Sequence, residues 1–151
     1  MPALTTEEFI TWANRLANLP WPMTLEEFTT TAVKDFGWDL DNGGKHFIAT
    51  FSGHVEYVMF SVNDRNEIDD VLFFIARGDP NERENILSLN DLFVAYVSAG
   101  TEAWGKEVQK KLGKEQSATW KIRDGRILKL ERSSKVILFT FYTPQGARYY
   151  E

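Results

Sequence analysis

Few residues of this chain could do chemistry, and their spacing limits what they could do. The two histidines, His46 and His54, stand eight residues apart in alternating segments that "SG" interrupts. A metal site would need a third ligand, Glu56 or Asp41 being nearest, and no zinc-type spacing is present. Both read as ordinary surface or half-buried histidines. Ser52 lies close to His54, where a nucleophile would look for its base, but the pair falls in a tight turn without the strand–turn–helix of a nucleophile elbow. Carboxylates gather at Asp64, Glu67, Asp69 and Asp70, and crowded acids raise one another's pKa, which a general acid exploits. These occupy a polar turn and a strand entrance, where water would screen them. "DNGGK" (41–45) has no helix after it, so it reads as a hairpin turn and not a phosphate loop. No catalytic residue, metal ligand or cofactor is expected.

The elements that must position these residues are legible by period. "TTEE" (Thr5 to Glu8) and "TLEE" (Thr24 to Glu27) both fit the capping box, with threonine as N-cap and glutamate three residues on. The first helix then places Phe9, Trp12, Ala13, Leu16 and Leu19 on one stripe until "LPWP" stops it. The second turns Leu25, Phe28, Ala32, Val33 and Phe36 inward, and Gly37 follows as a left-handed terminator. Trp38 is then either a core residue folded back on that helix or an exposed recognition aromatic.

Beyond "DNGG" the period falls to two. "KHFIATF", "HVEYVMFSV" and "EIDDVLFFIAR" read as strands, with turns at "SG" and "NDRN". Asp79 and Pro80 look like the N-cap and first position of a long helix from about Asn81 to Lys111. It would carry Ile86, Leu89, Leu92, Phe93, Tyr96, Val97, Ala103, Trp104, Val108 and Leu112, with a break near "SAGT". "SATWKI", "RILKLER" and "KVILFTFY" close the chain. The order ααβββαβββ predicts a single α+β domain over residues 1–151, with an N-terminal helical hairpin. Its mainly antiparallel sheet should have five to six strands, with helices on one face.

Composition agrees with a folded domain: 151 residues, 43% hydrophobic and 14% aromatic. Cysteine is absent, which excludes disulfides and thiolate chemistry. The N-terminus lacks a secretory pattern and no apolar run reaches the ~20 residues of a membrane span, so a cytoplasmic location is expected. A net charge of −5 argues against general nucleic-acid or membrane binding. Charge is uneven, with nine acids against three bases from Glu56 to Asp91 and nine bases against three acids from Lys110 to Lys135. Such runs are either two solvated faces or a docking patch for a partner of opposite sign. The basic run also interleaves with Trp120, Phe139, Phe141 and Tyr142, a pattern that could stack single-stranded bases.

The sequence order also resembles a known family. A capped first helix, then "LPWPMTLEEFTTTAVKDFGW", a strand meander, a long helix ending in "KKLGK" and "ATWKIRDGRILKLER" resemble the actinobacterial family of unknown function DUF6301. Trp21, Phe36-Gly37-Trp38, Leu112-Gly113 and Trp120 carry the likeness. Small acidic proteins of this kind resemble immunity proteins, which block a secreted toxin in the cell that makes it. A looser resemblance is to the immunity factor of the tuberculosis necrotizing toxin, an NAD-cleaving enzyme. The resemblance implies a non-enzymatic, cytoplasmic antitoxin whose partner is a cognate protein toxin, NAD-cleaving on the looser likeness. Asp64, Glu67, Asp69 and Asp70 are the expected partner-binding residues, with exposed Tyr149 and Tyr150 as a second patch. The alternatives are a small-ligand-binding or regulatory domain, then a nucleic-acid-binding domain.

Overall fold

Thr5 and Thr24 each close the capping box that the sequence spells. The Glu8 N–H donates to Thr5 Oγ1 at 3.0 Å, and the Thr5 N–H donates to Glu8 Oε1 at 3.3 Å. The Thr24–Glu27 pair does the same at 3.2 and 2.9 Å. Each box satisfies two backbone donors that a helix start leaves unpaired. They open α1 (Thr6–Ala17) and α2 (Leu25–Lys34) in the structure, a computed structural model that describes residues 2–78, 83–113 and 115–150.

After α2 the chain runs through β1 (Asp39–Leu40), β2 (Phe47–Phe51), β3 (His54–Val62) and β4 (Ile68–Arg77). Helix α3 (Arg83–Trp104) crosses to the far edge, and β5 (Gln109–Lys111), β6 (Gln116–Lys121), β7 (Ile127–Arg132) and β8 (Val136–Tyr142) return. A short α4 (Pro144–Ala147) follows. All eight strands form one antiparallel sheet in the order β1-β2-β3-β4-β8-β7-β6-β5. Two four-stranded meanders are thus joined where β8 pairs with β4.

The α+β class is as expected, but the sheet has eight strands where five to six were predicted. The order is also longer than ααβββαβββ. The added pieces, β1, β5 and α4, are two to four residues long. Each is too short to show a period. Helix α3 runs unbroken through "SAGT", because Gly100 lies against the Trp120 indole, where a Cβ would come within 2.8 Å of the ring. The helix stops instead at Gly105, whose φ is +89°. Val108 and Leu112 therefore leave the predicted helical stripe and are exposed, and Leu112-Gly113 follows β5 and does not end a helix. Val33 likewise faces outward. Asp79, Pro80 and the side chain of Ile86 lie outside the described residues.

The core lies between the helices and one face of the sheet. Gly37 (φ +74°) turns the chain so that the Trp38 N–H returns to the Ala32 carbonyl at 2.9 Å. Trp38 is 2% exposed and is ringed by Trp12, Phe28, Phe36, Phe47 and Phe51. It is a core residue. Phe51 continues the cluster to Phe73, Phe139 and Phe9, so one aromatic chain links both meanders to α1. Tyr96 of α3 donates to the Leu4 carbonyl at 2.6 Å, fixing the N-terminal segment against β4.

Two substitutions test this packing. Trp38→Ala should cost roughly 3–5 kcal/mol in urea unfolding, as large aromatic truncations do, whereas Val33→Ala should change little. At Gly146 an added methyl would meet the Asp69 carbonyl oxygen at 1.9 Å. Gly146→Ala should therefore cost about 1–3 kcal/mol, the usual penalty of overpacking. It should also speed hydrogen exchange at the Tyr149 and Tyr150 amides, which bond back to α4.

Candidate functional site

A notch forms where the β3–β4 hairpin meets the last residues of the chain. Asn63 organises the hairpin: its Oδ1 accepts from the Arg65 and Glu67 N–H groups at 2.9 and 3.1 Å. Its side-chain amide donates to Glu67 Oε1 at 3.2 Å. Asn66, at φ +60°, supplies the left-handed residue, which asparagine tolerates better than most. The Leu25 N–H donates to the Asn66 carbonyl and the Ile68 N–H to the Met23 carbonyl, tying the turn to the start of α2.

Register shifts inside β4, where Ser61 pairs with Asp70 and Val62 with Ile68. Asp69 is the extra residue of this bulge. Ile68 and Val71 both reach the core, so Asp69 and Asp70 are both left off it, half-buried. Thr143 then closes the notch from behind. Its hydroxyl donates to the Ile68 carbonyl at 2.8 Å and caps α4 by accepting from the Gly146 N–H at 3.1 Å. With no side chain at Gly146, α4 packs directly on the Asp69 backbone. Gln145, Arg148 and Tyr149 come to the notch as a result, lining a hollow of about 470 Å³ with Asn63, Asp64, Arg65, Glu67 and Asp69.

The tail thus splits the tyrosine pair that the sequence suggests. Tyr149 is 79% exposed and joins the acids. Tyr150 is half-buried on the other side, 4.9 Å from the Tyr142 ring, with its hydroxyl 3.2 Å from Thr119 Oγ1. The acids are also less wet than a polar turn implies. Only Asp64 is exposed, while Glu67, Asp69 and Asp70 are half-buried by the bulge and α4. Burial, then the neighbouring Glu67, pushes the Asp69 carboxyl above its ordinary value, with Arg148 opposing. Burial, joined by Asp69, raises Asp70, with Ser61 opposing. Burial chiefly pushes Tyr142, beside Asp70, up to about 12.

The other candidates are placed elsewhere. Ser52 turns to Glu8, to which its N–H and hydroxyl both donate. His54 lies 3.5 Å from Glu56, which also takes Arg77 Nε at 3.0 Å and is only 4% exposed. His46 sits 3.8 Å from Asp41 and edge-on to the Tyr57 ring. Among the described residues no three His, Asp or Glu side chains are arranged to hold a metal ion. In the basic run, Trp120, Phe139 and Phe141 face the core. Arg126 Nε donates to the Ala17 carbonyl at 2.8 Å, and Arg123 reaches Asn18, so both serve the C-terminal end of α1. Cations there complement the helix dipole.

Sequence reasoning missed Asn63, Arg65, Gln145 and Arg148 as parts of the notch. One signal for α4 was present: Thr143-Pro144 is an N-cap followed by proline at the first helical position.

No curated protein and no solved structure matches the chain. A family of unknown function, DUF6301, does match, over residues 7–143. That match runs from the first turn of α1 to Thr143 behind the notch, so the chain belongs to the DUF6301 family.

Proposed function

We propose that this protein is a non-enzymatic immunity protein, acting in the cytoplasm by stoichiometric binding of a cognate protein toxin. The toxin would seat an arginine or lysine side chain in the notch beside Asp69. The observation that carries this reading is a set of buried acceptors without donors. Asp69 Oδ1 and Gln145 Oε1, both on the notch, and Asp70 Oδ1 beside it have no hydrogen-bond partner among the described residues. Buried polar atoms are normally paired, so acceptors left open in a notch where three acids outnumber Arg65 and Arg148 suit a cationic donor from outside. Exposed Tyr149 supplies the flat aromatic area that interface centres favour. Asp64, with little burial, would steer the encounter with a basic toxin cleft. The likeness to small acidic actinobacterial immunity proteins supports the same reading, and an NAD-cleaving toxin is the first partner to test.

The binding test uses a toxin encoded beside the gene. Asp64→Lys should slow association several-fold and change dissociation far less, because rim charges act on encounter. Rising salt should weaken wild-type binding and leave the variant nearly flat, since screening sets in beyond ~8 Å at physiological ionic strength. Equal salt slopes would remove the notch from the interface.

Acidity gives a second check, whose sign follows from the raised carboxyls. Free Asp69 and Asp70 keep their protons to higher pH than an unfolded aspartate at about 3.9. A bound cation favours the charged forms, so affinity is full above the free-state values and falls as pH drops through them. Within that window binding should release protons, read by calorimetry in buffers of different ionisation enthalpy. Without a partner the linkage runs the other way. The folded state holds more protons than the unfolded state there, so these two groups make unfolding harder as pH falls. Asp69→Asn should reduce both effects.

A further inference from the structure

Strands β5, β6 and β7, at one edge of the sheet, raise a group of donors from the face that the helices leave open. Thr119 of β6 stands level with Gln109 of β5 and Lys129 of β7, and Lys111 stands level with Ser117. Lys121 lies two residues along β6 from Thr119, so alternation puts these side chains on the same face. Ala118 and Trp120, between them, are buried on the helix-covered side. Tyr150 comes over the group from the end of the chain, its hydroxyl 3.2 Å from Thr119 Oγ1. With Val108 these residues line a hollow of about 770 Å³, and no carboxylate is among its described lining residues. We infer that this hollow binds a phosphoryl dianion, as inorganic phosphate or as the head of a small phosphate monoester.

The donors select that chemistry. Every cation in the lining is a lysine, a compact point charge, and none is an arginine whose planar fork would match a carboxylate. Ammonium groups arriving from three strands can each meet a different oxygen of a tetrahedral anion. Lys111 has no ion pair among the described residues, and Lys129 stands 3.8 Å from Glu131, outside the hollow. The Lys129 ammonium lies 5.1 Å from the Tyr150 ring centroid, close to the hydroxyl pair. One proton of Thr119 and Tyr150 is spent between their two oxygens, so the other is left for an acceptor in the hollow. The surroundings then set the size of the ligand. Glu131 faces Ser117 across the ladder, and Leu138 and Phe74 follow it on β8 and β4. A nucleic-acid strand needs a row of cations to track successive phosphates, and the open face offers a carboxylate and apolar side chains there. A single phosphoryl group fits. The site uses no residue of the acidic notch and does not depend on the immunity reading.

Inorganic phosphate, glycerol phosphate, dimethyl phosphate and acetate are the probes, titrated into the full chain at constant ionic strength and followed by amide NMR. The first two should shift the Gln109, Lys111, Thr119 and Lys129 amides together and saturably. Tighter binding of glycerol phosphate assigns a monoester, and tighter binding of inorganic phosphate assigns the free ion. Dimethyl phosphate and acetate, with one charge each, should bind several-fold more weakly. Lys111→Met with Lys129→Met keeps both stems and should weaken phosphate binding about tenfold. If that variant fails to fold, Lys111→Met alone, at an exposed position, should still weaken it. Tyr150→Phe should weaken it less and leave the contact with the Tyr142 ring in place. Equal binding of acetate and phosphate would overturn the proposal, leaving a solvated basic face, and so would unchanged affinity in the lysine variants. Binding of a single-stranded oligonucleotide with no binding of either phosphate would also overturn it, making the face a nucleic-acid surface.

Discussion

The pairing of β4 with β8 is the constraint on which the rest of this molecule depends. It runs from Asp70 opposite Tyr142 to Arg77 opposite Val136 and joins two meanders that are otherwise separate sheets. Each meander alone would present an inner edge of unpaired backbone groups, a template for aggregation. Joined, they leave only β1 and β5 as edges, one of two residues and the other carrying Lys110 and Lys111. The same pairing sets Val71 and Phe73 beside Phe139 and Phe141, the floor on which the helices sit. It also places Thr143, the next residue of the chain, against the Asp69 bulge. The notch is thus a consequence of where β8 ends.

Helices cover one face of this sheet, and the other carries what the core does not use. Tyr57 and Met59 stand exposed on β3. Phe74 and Leu138, neighbours in the β4–β8 ladder, form part of the wall of a hollow there with Lys129 and Glu131. The acidic notch and this hollow sit at opposite ends of β8. Six residue steps of antiparallel strand separate them by roughly 20 Å. That is more than twice the ~8 Å screening length at physiological ionic strength, so each keeps its own field.

What the sequence reveals of this fold is what local chemistry decides. The capping boxes, the left-handed Gly37 and the turns at Ser52-Gly53 and Asn66 need only a few neighbouring residues, and they stand where the sequence reading places them. Strands β1 and β5 were not legible because partners define them: β5 is a polar run that becomes a strand only by pairing with β6. The run of α3 through Gly100 was hidden for a related reason. Glycine costs a helix about 1 kcal/mol, and the rings of distant Trp120 and of Trp104 explain why that cost is accepted. The acidic residues were visible as a cluster but not as a site. Their burial needs the bulge at Asp69, and the arrival of Tyr149 needs the close docking of Gly146.

Residue type sorts the basic run better than charge does. Seen as charge alone, the bases from Lys110 to Lys135 form one patch. In the fold Arg126 and Arg132 are buried and Arg123 reaches the end of α1, whereas Lys110, Lys111 and Lys121 stay exposed. A guanidinium is weakly hydrated and presents a planar fork of donors, so it can leave water if carbonyl groups or an anion meet it. An ammonium is a strongly hydrated point charge, and its stem can lie on the sheet while its head stays wet. Lys129 does this, with its head over the Tyr150 ring and near Glu131. By that rule the arginines should be the ones with partners, and two of the three in this stretch have them inside the fold. The third, Arg132, stands level with buried Ile137 and keeps its Nε–H buried without an acceptor among the described residues.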